Sequence, residues 1–551
     1  MEIHGLQERL LYTDTNSRLL RNDIVTLNKQ RTAILAEVDN ANFSWLHMKV
    51  CMVASIGFFT DAYDTFAINI ASTMLGYVYR RHDNFQLNSS QSLGIKAASL
   101  LGNVFGQILF GWLGDVLGRK RVYGIELVVI IFATLSQALS GSGDAVSIVG
   151  VLVVWRFLMG VGIGGDYPLS AVISSEFSSA RIRGRVMTAV FAAQGWGQFT
   201  AVLVAMVVVV AYKTSLVNDP YPNLPHVDYM WRLLIGLGCI PACIALYFRL
   251  TIPETPRFTM DIERNIVQAA QDVENILSTG KFYHNPDAIV QKVQIPRASR
   301  RDFIAYFSKW ENGKVLLGTA YSWFALDVAF YGLGLNSSDV VTAIRCAHSS
   351  PQSAQDAYNI LYNICFVNLI LSVAGLIPGY WVSFLVIDWW GRKPIQLMGF
   401  SVLTVLFIIM ASAYDRLVTL NSCLSTGQSA SAVFVILYCL ANFFMNFGPN
   451  TTTFVIPGEA FPTRYRSTAH GISAACGKIG AIIAQVGFAE LVNGGDPHHH
   501  MRYLLGIFAV SMFTGILSTL LLPETRGRTL ENVSNENQST FVRGVAGTVA
   551  L

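Results

Sequence analysis

Charge is what this chain has least of. Asp, Glu, Lys and Arg make up 13% of its 551 residues, about half the share of an ordinary soluble domain. The formal net charge is +4, too small to point to nucleic acid, and the basic residues cluster at the ends of apolar runs. The eight cysteines contain no CxxC pair, which argues against a structural metal site. Most lie in apolar runs and read as packing residues. Cys346 and Cys423 are exceptions, because they fall in loops expected outside the cell, where a disulfide could persist. A P-loop is also missing. The stretch from Gly471 to Gly477-Lys478-Ile479 has one residue too many and no Ser or Thr after the lysine. No nucleophile–base pair or metal spacing occurs within the apolar runs, so no enzyme, cofactor or bound metal is expected. His498, His499 and His500 have no second ligand cluster and read as solvated loop residues. The first 45 residues contain no apolar h-region, so no cleaved signal peptide is expected.

What the chain has instead is hydrophobic length. Apolar residues reach 52%, and runs of bilayer-spanning length recur from Val50 to Leu522. The expected spans are 47–75, 93–114, 122–141, 146–171, 186–212, 231–252, 314–336, 357–386, 394–414, 430–457, 467–493 and 502–522. The expected fold is therefore an all-α polytopic membrane protein with twelve transmembrane helices. A polar insert divides them six and six. Five regions follow: an N-terminal segment 1–45, a six-helix unit 46–252, a central loop 253–313, a second unit 314–522 and a tail 523–551. Arg119-Lys120-Arg121, Arg181 to Arg185, Arg392-Lys393 and Arg464 to Arg466 all follow even-numbered spans. The positive-inside rule then places both termini and the insert in the cytoplasm. The sequons at Asn88 and Asn336 fall in outside loops on this scheme. At the end of the insert, Phe303, Phe307 and Trp310 share one helical face flanked by basic residues, which fits a helix lying on the inner membrane surface.

The two halves repeat. Asp115 to Lys120 returns as Asp388 to Lys393, offset by 273; Glu176, Arg181 and Arg183 return as Glu459, Arg464 and Arg466, offset by 283; Pro253-Glu-Thr255 returns as Pro523-Glu-Thr525, offset by 270. Three motifs displaced by nearly one distance in one order indicate a duplicated six-helix unit with a site near the midplane between the halves. The acid, glycine and base of each repeat suit a latch of exchangeable salt bridges at the cytoplasmic face. Its expected members are Asp115, Arg119, Glu176, Arg183, Asp388, Arg392, Glu459 and Arg466. Topogenic charge alone is the plainer alternative.

Four acids, Asp61, Asp64, Asp166 and Asp327, interrupt hydrophobic stretches. A charge at the centre of a spanning helix costs roughly 2.5–3.5 kcal/mol even on the gentlest scale, so such acids point to an ion or proton path. In span seven Trp323, Asp327 and Tyr331 follow at i, i+4 and i+8 and share a face. Asp327 lies about 20 Å along the axis from Lys314, well inside the bilayer. The glycines from Gly160 to Gly165 permit close helix approach and local unwinding, which would turn Asp166 and Tyr167 toward a cavity. Gln194 and Gln198 lie one turn apart in span five. In span ten Asn442 reads as interhelical glue, and Asn450, beside a kink expected at Gly448-Pro449, as a site residue. Glu126 interrupts span three, and Lys478 is the one lysine deep in an apolar run; an acid such as Asp327 or a bound anion would keep it charged. Arg156 is expected to snorkel to the interface.

The chain resembles the major facilitator superfamily, and within it the proton-coupled inorganic phosphate symporters of fungi and plants. The resemblance covers about residues 46–530. It is carried by Gly164-Gly-Asp-Tyr-Pro-Leu-Ser170 with Ser175-Glu176, by Phe58 to Asp64, by Trp323 to Tyr331 and by Asn446 to Phe454. It implies two pseudo-symmetric six-helix bundles and a plasma-membrane carrier working by alternating access. It implies a phosphate site at Tyr167, Gln194, Trp323, Asp327, Tyr331 and Asn450. It also implies proton-linked acids at Asp61 and Asp166, with Asp64 and Glu126 beside them, and Lys478 as the family's lysine of span eleven. Phosphate, protons and the lipid bilayer are the expected partners. Permeases for glycerophosphodiesters share much of this framework, and a phosphate sensor without net transport would share every motif.

Overall fold

The structure is a computed structural model and describes residues 45–81, 85–250, 255–261, 299–338, 351–419, 428–493 and 497–534, with Leu35, Asp39 and Val340. Among the described residues there is no strand, only one isolated bridge between Gly143 and Val146. Cys346 and Cys423 lie outside the described residues.

Twelve long helices follow in order. They are α1 (Trp45–Tyr79), α2 (Ser89–Leu117), α3 (Ile125–Leu139), α4 (Ile148–Phe177), α5 (Arg183–Ala211), α6 (Pro225–Gly236 with Cys239–Arg249), α7 (Trp310–Gly334), α8 (Ala354–Leu371 through Ile377–Trp390), α9 (Arg392–Thr419), α10 (Gln428–Asn446 with Pro449–Ala460), α11 (Arg466–Asn493) and α12 (Pro497–Leu520). Ten are long and apolar enough to cross a bilayer by length and composition. The other two, α1 and α7, are also long enough; polar residues that they carry inward, including Asp61, Asp64 and Asp327, dilute their hydropathy. Each expected span coincides with one of these helices.

Helices α1 to α6 pack together, as do α7 to α12, and the halves meet along α2 against α11 and α5 against α8. The repeated motif has a backbone cause. Gly118 and Gly391 sit at equivalent corners with φ of 103° and 104°, a region that residues with a Cβ avoid, and each turns the chain sharply into its Arg-Lys pair. Proline and glycine also set the interruptions. Helix α10 breaks ahead of Pro449, as its sequence predicts, and α8 passes through a π-turn at Ser372–Leu376 just before Pro378.

Three local expectations change. Helix α4 runs unbroken to Phe177, so its glycines serve close packing rather than unwinding; a Cβ on Gly164 would collide with the backbone of α2 at Asn103. The aromatic face at 303–307 packs on the protein: Phe303 meets Tyr465 at 5.3 Å and Phe307 meets Phe461 at 5.8 Å, while Trp310 already belongs to α7. The three histidines 498–500 fall in the first turn of α12, not in a loop.

Candidate substrate and proton site

At the midline between the halves, α4, α5, α7, α8, α10 and α11 converge on a small polar chamber. Lys478 Nζ donates to Asp327 Oδ2 at 2.7 Å, with both side chains 1% exposed. The ammonium lies 4.4 Å from the ring centroid of Tyr331 and 5.1 Å from that of Tyr167, so ring faces add to its neutralisation. Trp323 lies 6.3 Å from Tyr167, centroid to centroid. Asn450 Nδ2 donates to the hydroxyl of Tyr380 at 2.7 Å, and that hydroxyl donates to Gln194 Oε1 at 3.3 Å. All six residues expected to hold phosphate therefore reach this region, and none is more than 4% exposed.

A second polar cluster is embedded in the first half. Arg249, at the end of α6, donates to Glu126 Oε1 and to Asp166 Oδ2, each at 2.5 Å, and its guanidinium covers the ring of Tyr123 at 4.1 Å. Ser170 donates to the other Asp166 oxygen at 2.5 Å. Asp166 thus turns into its own bundle, away from the chamber that Tyr167 faces. Asp61 is buried on α1, and the charges that act on it most are Asp166, Arg249 and Asp64. Asp64 accepts from Thr134 at 3.0 Å. Arg156 does not snorkel; it is 1% exposed, donates to the Ile95 carbonyl and to Ser99, and faces Asp64 electrostatically.

Both ends of the midline are closed. At the basic end, Arg119 binds Glu176 at 3.3 Å and Arg392 binds Glu459 at 2.8 Å, and Thr255 and Thr525 donate to the same two glutamates at 2.6 and 2.5 Å. Asp388 pairs with Arg392 at 2.9 Å. Cross-links between halves run from Arg466 to Glu176 at 2.7 Å and from Arg119 to the Thr463 carbonyl at 2.7 Å. Asp115 also accepts from the Thr468 amide and hydroxyl, each at 2.7 Å. Arg183 departs from the expected symmetry and binds Asp39 at 2.9 Å. At the opposite end, Asn69 donates to Ser337 at 2.5 Å, Lys96 donates to Asn336 at 2.8 Å, and Phe66 stacks on Tyr331 at 6.0 Å. Asn336 is buried in this seal, so its sequon is no exposed acceptor. The chamber is occluded from both sides.

A family model described as "Sugar (and other) transporter" matches residues 50–536. A "Repressible high-affinity phosphate permease" of Neurospora crassa is 47% identical over 92% of this chain and 90% of its own length. The "Inorganic phosphate transporter PHO84" of Saccharomyces cerevisiae is 43% identical over 92% and 87%. The chain belongs to the major facilitator superfamily, in its fungal and plant inorganic phosphate transporter family. The plant side is represented by a "Probable inorganic phosphate transporter 1-3" of Oryza sativa, 38% identical over 92% of this chain and 97% of that one. The fold matches the major facilitator superfamily proton:xylose symporter XylE bound to 6-bromo-6-deoxy-D-glucose. The TM-score is 0.64 at 20% identity, covering 91% of this chain and 100% of that one. This member of the family is a multi-pass membrane transporter, not an enzyme.

Four features of the transporter escaped sequence reasoning. Arg249 looks like one more basic residue closing a span. Asn336 and Ser337 look like a glycosylation signal, and Asp39 lies in a polar segment with no periodic signal. His470 is buried one turn beyond Arg466, 5.4 Å from Trp323, on a stripe with Arg466 and Lys478 that could have flagged it.

Proposed function

We propose that this protein imports inorganic phosphate together with protons by alternating access. The observation that carries the reading is the Asp327–Lys478 pair at 2.7 Å, sealed at the midline between the two halves. An anion needs a cation to leave water for such a chamber. Lys478 is that cation, and Asp327 competes for it. A proton on Asp327 breaks the competition: the neutral acid donates a hydrogen bond to phosphate, and Lys478 turns its charge to the anion. Tyr167, Gln194, Trp323, Tyr331 and Asn450 meet the remaining oxygens. Loss of the proton restores the pair and expels phosphate by like-charge repulsion. The phosphate transporters among the relatives support this choice of substrate.

In this reading the basic end faces the cytoplasm, where positive loops are retained. The segments 1–45, 253–313 and 523–551 lie on that side, and the protein works in the plasma membrane. The bundles 46–252 and 314–522 rock about the chamber. The repeated charge motifs act as the cytoplasmic gate, and Asp61, Asp64, Asp166 and Glu126 serve the proton. Labelled phosphate uptake into reconstituted vesicles under an imposed pH gradient tests this. Wild type should take up phosphate with glycerophosphodiesters, sulfate and sugars competing poorly. Asp327→Asn should retain phosphate binding and lose the pH dependence of uptake. Unchanged proton-driven uptake by that variant would overturn the switch.

A further inference from the structure

We infer that the transported proton, once off Asp327, rests on Asp61 and leaves toward the basic end through Asp166, Ser170 and Tyr123, with Arg249 as the positioning residue of this route. The inference rests on the proton-coupled reading above.

The donor pattern assigns the proton. Asp166 receives two donors, Ser170 on Oδ1 and Arg249 on Oδ2, each at 2.5 Å. That is the environment of an ionised carboxylate. Neither oxygen of Asp61 meets a donor among the described residues, although the carboxyl is only 2% exposed. One turn before it, Gly57 packs so tightly on Arg249 and Asp166 that a Cβ there would collide with both. Asp61 and Asp166 are therefore two acids facing each other, and only a proton can join them. It belongs on Asp61, which then donates to Asp166.

The route onward is a chain of hydroxyls. Ser170 donates to Asp166, and its oxygen lies 2.9 Å from the hydroxyl of Tyr123. Since the Ser170 proton is committed to Asp166, Tyr123 is the donor of that second bond. Tyr123 lies in the corner between the Arg119–Val122 turn and α3, at the basic end. The charged and titratable groups facing the Asp61–Asp166 pair are Asp64 from α1, Glu126 and Tyr123 at the start of α3, Tyr167 from α4, Arg249 from α6 and Tyr331 from α7. Arg249 is shared between Glu126 and Asp166, so it fixes the carboxylate that receives the proton.

When the basic end opens and admits water, Tyr123 turns its hydroxyl hydrogen to that water and Ser170 turns its own to Tyr123, which frees Asp166 Oδ1 to become a donor. The Asp61 O–H bond then breaks as an Asp166 O–H bond forms. Asp166 passes a proton to Ser170, Ser170 passes its own to Tyr123, and Tyr123 releases one to water. Every relay oxygen ends with the protons it began with. Asp61 is left as a carboxylate, and water gains the proton.

Tyr123→Phe keeps the ring beneath Arg249 and removes only the relay hydroxyl. Ser170→Ala removes the middle link, and Ser170→Thr restores it. Each is reconstituted and assayed for phosphate exchange between equal internal and external pools, which needs no net proton release, and for net uptake with proton influx followed by an internal pH dye. The expected result is exchange within twofold of wild type in Tyr123→Phe and Ser170→Ala, with net uptake and proton influx reduced about tenfold or more, within the range of general acid–base effects. Ser170→Thr should recover most of both. Net uptake and proton influx within twofold of wild type in both loss variants would overturn the route. Equal loss of exchange and net uptake would assign these residues a structural role and overturn it as well. A wild-type protein that moves phosphate without protons would instead overturn the reading on which the route rests.

Discussion

Arg466 on α11 reaches across the midline to Glu176 on α4 at 2.7 Å, whereas Arg183, its counterpart in the first half, pairs with Asp39 at 2.9 Å. The repeat is symmetric in sequence and asymmetric in use. Glu176 holds Arg119 and Arg466 and accepts from Thr255. Glu459 holds Arg392 and accepts from Thr525, within its own half. Opening the basic end must therefore break the Glu176 link and can leave the Glu459 link intact.

Glu176→Gln should accordingly unlatch that end. It leaves the buried Arg466 guanidinium without its carboxylate, and such a loss costs about 3–5 kcal/mol, whereas Arg119 keeps Asp115 at 3.2 Å. Amide hydrogen exchange should rise over residues 466–470, at the start of α11, with little change at the Asn69–Ser337 seal. Glu459→Gln should destabilise the second half without the same rise. Equal effects of the two substitutions would remove the asymmetry.

Much of this architecture could be read directly. Apolar run length and the basic exits gave the twelve helices, and the repeated Asp-x-x-Gly-Arg-Lys motif gave both glycine corners. The i, i+4, i+8 face of Trp323, Asp327 and Tyr331 announced the chamber. What stayed hidden depends on where long side chains end. Arg156 and Arg249 sit near span ends, where snorkelling outward is the cheap choice. Only the tertiary fold supplies the carboxylates that draw them inward. Asn336 failed in the opposite sense, because a local pattern cannot show that Lys96 and Gln485 bury its side chain.

Lys478→Met should raise the half-saturating phosphate concentration by about ten- to hundredfold, the value of one hydrogen bond to a charged group at roughly 1.5–3 kcal/mol. Lys478→Arg should lose less, because it keeps the charge and changes only its shape. The concentration dependence of phosphate exchange measures both. Equal loss from both substitutions would show that the site needs the shape of lysine, not its charge.

Gly118→Ala and Gly391→Ala test the corners. At φ near 103° a Cβ costs about 1–2 kcal/mol, and the two corners lie in separate halves, so the effects should add. Thermal unfolding in detergent should show two similar decreases and a double variant near their sum. A substitution without effect would mean that its corner relaxes freely.

At the opposite end, Asn69→Ala removes the donor to Ser337 and the carbonyl partner of the Ser338 amide. Each lost bond is worth about 1 kcal/mol, enough to shift a balanced pair of states several-fold. In oriented vesicles, exchange should then respond more strongly to phosphate on the Asn69 side, with the reverse preference in Glu176→Gln. Movement of both variants in the same direction would show that the two seals are not alternatives.

The tail supplies a prediction about acidity. Glu531, in the short helix Leu530–Val533, pairs with Arg257 at 3.0 Å, and Arg257 also holds Asp39 at 2.8 Å. Burial pushes the Glu531 carboxyl upward, but the Arg257 guanidinium outweighs it and holds the group down to about 2, against an ordinary 4.5. A lowered carboxyl stabilises the docked tail fully above its ordinary value and loses that contribution only as pH falls from about 4.5 toward 2. Limited proteolysis of the tail should therefore be flat from about pH 8 to pH 5. Glu531→Gln should expose the tail throughout that range. If cleavage of wild type rises between about pH 7 and pH 5, Glu531 is not the group that fastens the tail, because its carboxylate is fully formed across that interval.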